Sequence, residues 1–228
     1  MTTTALVIEN DPRLGLGRAS EWLTEAGMEL DFVRPHAGDA VPKSAGGHDA
    51  LIALGGAGEP ERAEELTGLL KCAVADSTPA LALGSSAQLL AAAFGGRIEP
   101  SSEPQGARML AKRDEAGRDA LFGSAPMTLD VICWRTEELV SLPEEATLLA
   151  ASPYGALEVF RIRQTAWGVQ SHFELAPEQL ARLESFDEAH LERARRVDEH
   201  IVETWRPILQ RFVRIAAGEL RELPVIDG

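Results

Sequence analysis

The sequence predicts an α/β fold: a doubly wound, mostly parallel sheet with added antiparallel strands. Three observations lead there. Short apolar runs alternate with stretches of helical periodicity up to about residue 97, the rhythm of a parallel sheet covered by helices. Beyond that point strand-like runs follow one another without long helices between them, which adds antiparallel strands to one side of the same sheet. The chain has 228 residues of which 45% are hydrophobic, enough for one large core, and no repeat or linker divides it, so residues 1–228 read as a single domain.

The elements follow in order. "ALVIE" (5–9) is a buried strand ended by Asn10, Asp11 and Pro12. Leu14, Leu16, Ala19, Trp22, Leu23 and Ala26 carry helical spacing, which predicts a helix over about 14–27. "ELDFVRP" (29–35) and "DALIALGG" (49–56) are the next strands, and the unbroken apolar run of the second implies burial on both faces. A charged helix, "EPERAEELTGLLKCAVA", leads to the strand "PALALG" and to an Ala/Leu-rich helix. The later strand candidates are "GRIEP", "GARMLAKR", "MTLDVICW", "ATLLAAS", "LEVFRIR" and "AWGVQSHF". A short segment, "PEQLARLESF", precedes a long charged helix starting near Asp187, which Pro207 should kink or interrupt.

Charge narrows the partners. The formal net charge is −14 and the isoelectric point is near 4.8, so the surface repels phosphate backbones and anionic lipid, and neither nucleic acid nor membrane is an expected partner. No run reaches the roughly 18 apolar residues of a membrane span. "MTTTALVIENDP" lacks the basic start of an export signal, so a cytoplasmic location is expected. Cys72 and Cys133 make neither a disulfide framework nor a metal-type spacing. His36, His48, His190 and His200 show no ligand spacing with a carboxylate or cysteine, and neither a metal nor a cofactor is expected.

Three segments carry a resemblance. "DALIALGGAG" (49–58), "PALALGSSAQLLAAAFGGRI" (79–98) and "WGVQSHFEL" (167–175) occur in the order and at the spacing of the class I glutamine amidotransferase family, and "LPEEATLLAASP" (142–153) resembles the run between its later motifs. The resemblance implies a flavodoxin-like architecture on which glutamine is hydrolysed by a Cys–His–Glu triad. The family's elbow reads Pro-x-Leu-Gly-x-Cys-x-Gly-x-Gln-Leu-Leu. Matching Pro79 and Gln88 to it without a gap puts Gly84 where the cysteine belongs. Glycine has no nucleophile.

The other positions match in part. His172 and Glu174 correspond to the general base and the carboxylate that orients it. Gly55 and Gly56 correspond to the oxyanion loop, Ser85 to the residue whose amide follows the nucleophile, and Gln88 to the elbow-helix glutamine. Ser171 and Phe173 replace the usual Phe and Pro, and "CWRTEE" (133–138) departs from the family's Trp-His-x-Asp. Alternation along "VQSHFE" sends His172 and Glu174 to one face of a strand. The amides of Gly56 and Ser85 are expected to converge on one concavity fit for a carboxylate or another amino-acid-like ligand.

Three functional readings follow from this. The first is a pseudo-amidotransferase that binds a small ligand, or a synthetase-type or other protein partner in trans, without glutaminase activity. The second is an enzyme of altered chemistry that uses His172 and Glu174 as a general-base pair. The third is a nucleophile-disabled form of an active amidotransferase or γ-glutamyl hydrolase. A Ser85 or Ser86 nucleophile is disfavoured, because one step along an elbow turns the side chain away from the base.

Overall fold

The computed structural model describes residues 2–55, 60–101, 104–183 and 185–220. Its elements are β1 (Thr3–Glu9), α1 (Ala19–Glu25), β2 (Met28–Val33), β3 (Ala50–Leu54), α2 (Pro60–Ala75), β4 (Ala80–Leu83), α3 (Ser85–Ala92), β5 (Arg97–Pro100), β6 (Gly106–Lys112), β7 (Thr128–Cys133), β8 (Glu137–Ser141), β9 (Ala146–Ala151), β10 (Val159–Ile162), β11 (Ala166–Val169), α4 (Pro177–Leu180) and α5 (Glu188–Ala216). The main sheet has the order β2-β1-β3-β4-β11-β10-β9-β6-β7. The strands from β2 to β11 run parallel, and those from β10 to β7 are antiparallel. This is the doubly wound sheet with added strands that the sequence predicts. No described helix is long and apolar enough to cross a membrane.

Side-chain alternation sorts the core into two layers. Along β1, Ala5 and Val7 enter one cluster while Leu6 and Ile8 enter the other, and β3 divides Ile52 from Leu51 and Ala53 in the same way. Every residue of β3 is buried, as its unbroken apolar run implies. Helices α2 and α3 supply Leu66, Leu70 and Leu90 to one layer. The opposite layer takes Trp22 of α1 with Trp205, Leu209 and Phe212 of α5.

The sheet also curls. By strand order β7 is an edge, yet Ile132 and His172 exchange backbone hydrogen bonds of 2.7 and 2.8 Å. The antiparallel half therefore bends until its last strand meets the continuation of β11. On its outer side β7 is blunted by α5, where the Trp205 indole donates to the Asp130 carbonyl at 2.9 Å.

Three local expectations change. The helix predicted from residue 14 begins at Ala19, because residues 10–18 form a loop that still buries Leu14 and Leu16. Gly17 sets that boundary: its φ is +51°, and a Cβ there would stand 2.3 Å from the Glu174 carbonyl oxygen. Second, β5 and a strand not foreseen, β8, form their own two-stranded ribbon instead of joining the main sheet. Third, Pro207 does not interrupt α5, which runs continuously past it. Pro207 and Glu203 are both exposed, so the carbonyl deprived of its partner lies on the solvent face.

One buried carboxylate pins the loop before β7 to the sheet. Asp119 accepts from the amides of Leu121 (2.8 Å) and Phe122 (2.9 Å), the Trp167 indole (3.1 Å) and the Arg161 guanidinium (2.6 Å). Asp119→Ala leaves the Leu121 and Phe122 amides and the Trp167 indole without this acceptor, and takes the paired carboxylate from the mostly buried Arg161, which keeps its bond to the Arg163 carbonyl. The expected loss is about 3–5 kcal/mol in urea or guanidinium unfolding, and a loss below about 1 kcal/mol would show that the anchor is dispensable.

Candidate functional site

The elbow lies between β4 and α3. Gly84 is its tip, with φ 62° and ψ −131° at the N-cap of α3. A non-glycine residue held in that region costs about 1–3 kcal/mol. A Cβ built on Gly84 would meet His172 Cε1 at 3.1 Å and Nε2 at 3.6 Å, and no other described group outside the adjoining chain comes within 4 Å of it. Among the described residues, the tip therefore faces the imidazole.

His172 is held from several directions. Its Nδ1 and Glu174 Oε1 lie 2.6 Å apart, while Glu174 Oε2 accepts from the Phe173 amide at 2.9 Å. Both side chains are buried. Burial acts most strongly on the imidazole and works against its charge, but the Glu174 carboxylate, helped by a backbone hydrogen bond at Trp134, outweighs it and holds the His172 pKa above the ordinary 6.5. The sequence expectation that His172 and Glu174 share a face and turn towards Gly84 matches this geometry.

The strand end that carries them is clamped on its far side. Arg18 donates from Nε to the Phe173 carbonyl (3.0 Å) and from Nη2 to that of Leu175 (3.2 Å), and pairs with Asp198 of α5 at 2.6 Å. Phe173, which departs from the family's proline, stacks on Trp205 with ring centroids 4.1 Å apart.

The remaining expected positions divide. Ser86 donates its hydroxyl to the Gly55 carbonyl at 2.6 Å, tying the elbow to the end of β3. Ser85 is half-buried at the start of α3, which has neither a side-chain cap nor an acidic residue in its first turn. Its amide is among the free donors of a helix start. Gln88 points its amide nitrogen at the Glu137 carbonyl (2.7 Å) and Gln170 Oε1 (3.2 Å), linking α3 to β8. Gly56, the second residue of the expected oxyanion loop, lies outside the described residues.

A buried network beside His172 joins the sequence departures into one unit. Ser171 donates to Glu158 Oε2 at 2.6 Å, and Arg135 donates to Glu158 Oε1 at 2.7 Å. Arg135 also lies 3.4 Å from the Ser171 hydroxyl and 3.5 Å from Glu138. Burial opposes the Arg135 charge most strongly, but Glu158 and Glu138 overcome it. Sequence reading marked Ser171 and "CWRTEE" but missed Glu158. Its signal was an acid directly before the apolar residues Val159 and Phe160, since a buried carboxylate requires a partner. Trp134, next to Arg135, lies 6.2 Å from His172 between ring centroids, with Arg13 over its indole.

Comparison with known proteins identifies the family and the fold. A family model described as glutamine amidotransferase class-I matches residues 20–188. The glutamine amidotransferase-like protein YfeJ of Salmonella typhimurium is 26% identical over 174 residues, which span 71% of this chain and 72% of that protein. A glutamine amidotransferase structure from Thermotoga maritima superposes with a TM-score of 0.78 at 20% identity, over 95% of this chain and 98% of that one. One from Methylobacillus flagellatus gives 0.78 at 18% identity, over 100% and 99%. A structure described as a GMP synthase subunit, from Thermoplasma acidophilum, gives 0.69 at 21% identity, over 96% of each. At such identities the structural likeness speaks for the fold.

The dyad makes a signed prediction. Because the folded pKa of His172 is raised, its contribution to stability is fully present below about pH 6.5 and is lost as pH rises through the folded value. Glu174→Gln leaves burial as the main influence, so the pKa falls below the ordinary value and the contribution changes sign. Urea unfolding across pH, with imidazole titration by NMR, checks it. An unchanged His172 titration in the variant would refute the coupling.

Proposed function

The chain belongs to the class I glutamine amidotransferase family, and on that premise we propose that it is a pseudo-amidotransferase, one that binds a ligand at the elbow without hydrolysing glutamine. One observation carries the reading. The elbow tip that faces His172 is Gly84, which has no atom able to attack an amide. The family's reaction needs a thiolate at that point to form the acyl-enzyme, and glycine supplies none.

What remains around the tip favours binding. The His172–Glu174 dyad is assembled, and the start of α3 offers backbone donors and the positive end of a helix dipole. Neither Cys72, on α2, nor Cys133, at the end of β7, stands at a strand–helix corner, so neither replaces the missing thiol. One structural neighbour is described as a GMP synthase subunit. By analogy, a protein partner in trans is the setting we propose for this chain.

Purified protein incubated with glutamine should release no ammonia above the uncatalysed background in a coupled assay. Release at the rate of a working glutaminase would overturn the proposal. The variant Gly84→Cys should fold, at a cost of about 1–3 kcal/mol for the strained tip. Its new thiol should react with iodoacetamide faster at neutral pH than the thiol of Gly84→Cys/His172→Gln, because an adjacent imidazolium favours the thiolate. Equal rates would mean that the tip and the dyad are not aligned for chemistry.

A further inference from the structure

Resting on the reading that this chain works with a protein partner in trans, we propose that the groove between β8 and the 152–157 turn is its docking site, and that it receives an arginine side chain of that partner flanked by an apolar residue. The groove is a cavity of about 260 Å³, with Glu138 and Val140 on one wall and Tyr154 and Leu157 on the other. That is below the roughly 300–1,000 Å³ of small-molecule sites and suits one long side chain. Four large apolar side chains are exposed among the described residues, and two of them, Val140 and Tyr154, line this groove. Scattered exposed apolar residues are ordinary, but two lining one groove mark a contact surface.

Charge names the occupant. Glu138 and Val140 stand two residues apart on one face of β8, so a carboxylate and an apolar side chain are presented together. Glu138 is the only charged side chain in the lining. Directly opposite it across the ribbon stands a second acid, Glu99, and like charges so placed repel. Arg97 reaches Glu99 at 3.6 Å, while Arg135 lies 3.5 Å from Glu138 and serves Glu158 at 2.7 Å. On a chain of formal net charge −14, the group that complements this lining is a cation. Tyr154 narrows the choice. A planar guanidinium stacks on an aromatic face while its fork holds a carboxylate, and an ammonium lacks the plane for both.

The groove is formed before anything fills it. Ser152 is buried, and its hydroxyl accepts from the amides of Tyr154 and Ala156 at 3.2 Å each. The Gly155 amide donates to the Ser152 carbonyl at 3.0 Å. Tyr154 is therefore held outwards on a bonded turn. Gln170, fully buried, spans the two walls. Its Oε1 accepts from the Leu139 amide at 3.0 Å, and its Nε2 donates to the Leu157 carbonyl at 2.9 Å. Walls fixed in advance lose little conformational freedom when the groove is filled. The same Gln170 oxygen accepts from Gln88 at 3.2 Å, which places the docked partner beside the helix that leaves the elbow.

The probe is the tripeptide Leu-Arg-Gly, acetylated and amidated at its ends. It is titrated to millimolar concentration into isotope-labelled full-length protein in about 0.15 M salt, which screens loose Coulomb attraction, and followed by amide NMR. Shifts should saturate and cluster at Leu139, Val140, Gly155 and Ala156. Lysine in place of the peptide's arginine should weaken binding at least about threefold, and glutamate should abolish it. Tyr154→Ala and Glu138→Gln in the protein should each weaken it at least about threefold. Tyr154 is exposed, so its variant keeps the fold even where loss of the Glu138 charge disturbs Arg135. Four results would each overturn the proposal: no saturable shifts, shifts scattered over the acidic surface, a lysine or glutamate peptide that binds as tightly, or binding unchanged in Tyr154→Ala. The ammonia assay reads the elbow alone. Ammonia release would end the pseudo-amidotransferase reading and leave the groove standing, so the two fail separately.

Discussion

Two backbone hydrogen bonds between Ile132 and His172 organise the candidate site. They join the end of the last strand in the sheet to the continuation of β11, and thereby close the antiparallel half upon itself. His172 is fixed at that closure through its main chain, so its side chain is positioned before any catalytic or ligand contact is made. The same closure carries Trp134 and Arg135 to the ring from one side. On the other, Arg18 grips the carbonyls on either side of Glu174 and fastens them to α5 through Asp198. A dyad supported on both flanks by main-chain bonds does not depend on a nucleophile for its order, and this accounts for its assembly opposite a glycine.

The buried Arg135–Glu158–Ser171 network belongs to the same closure. Desolvating a guanidinium and a carboxylate costs several kcal/mol for each ion, which their attraction offsets only when geometry is good and the remaining polar atoms are satisfied. Here Glu158 uses both oxygens, one towards Arg135 and one towards Ser171. The network draws on β10's approach, β11's exit and the segment after β7, the strands that the curl brings together. Its worth lies in fixing their relative placement, since an apolar filling of the same volume would stabilise as well but tolerate sliding.

Much of this was legible in the sequence where the determining interactions are local. The apolar runs of β1, β3 and β4, and the charged and Ala/Leu-rich helices α2 and α3 that alternate with them, were read correctly because an unbroken apolar run reports burial directly. The pair His172 and Glu174 was placed on one face by counting two residues along a strand, and Gly84 was placed at the tip by its distance from Pro79 and Gln88. What was missed depends on distant partners. Leu14 and Leu16 have helical spacing, but a carbonyl of Glu174 packed against Gly17 keeps that stretch a loop. The strand β8 is short and charged, and exists because β5 pairs with it. Glu158 was passed over within "LEVFRIR", because its partner Arg135 lies far away in sequence and reaches it only through the curl of the sheet. Nothing near Pro207 announces that its helix continues, since the layer formed by Trp205, Leu209 and Phe212 holds both halves in line.

The glycine at the elbow also bears on history. A chain that acquires glycine at this tip is relieved of the strain that any other residue must bear there. Among the described groups outside the adjoining chain, only the imidazole comes near the place a Cβ would take, and at 3.1 Å it would be closer to that Cβ than an ordinary contact allows. Returning a side chain would restore the strain and push His172 back by a few tenths of an ångström, against its bond to Glu174 and the main-chain bridge to Ile132. The first step is downhill in stability and the reverse step uphill, so the change acts as a ratchet. Any lineage exchanging this glycine for a larger residue would need a loosening change elsewhere first, so the fold itself entrenches the glycine form.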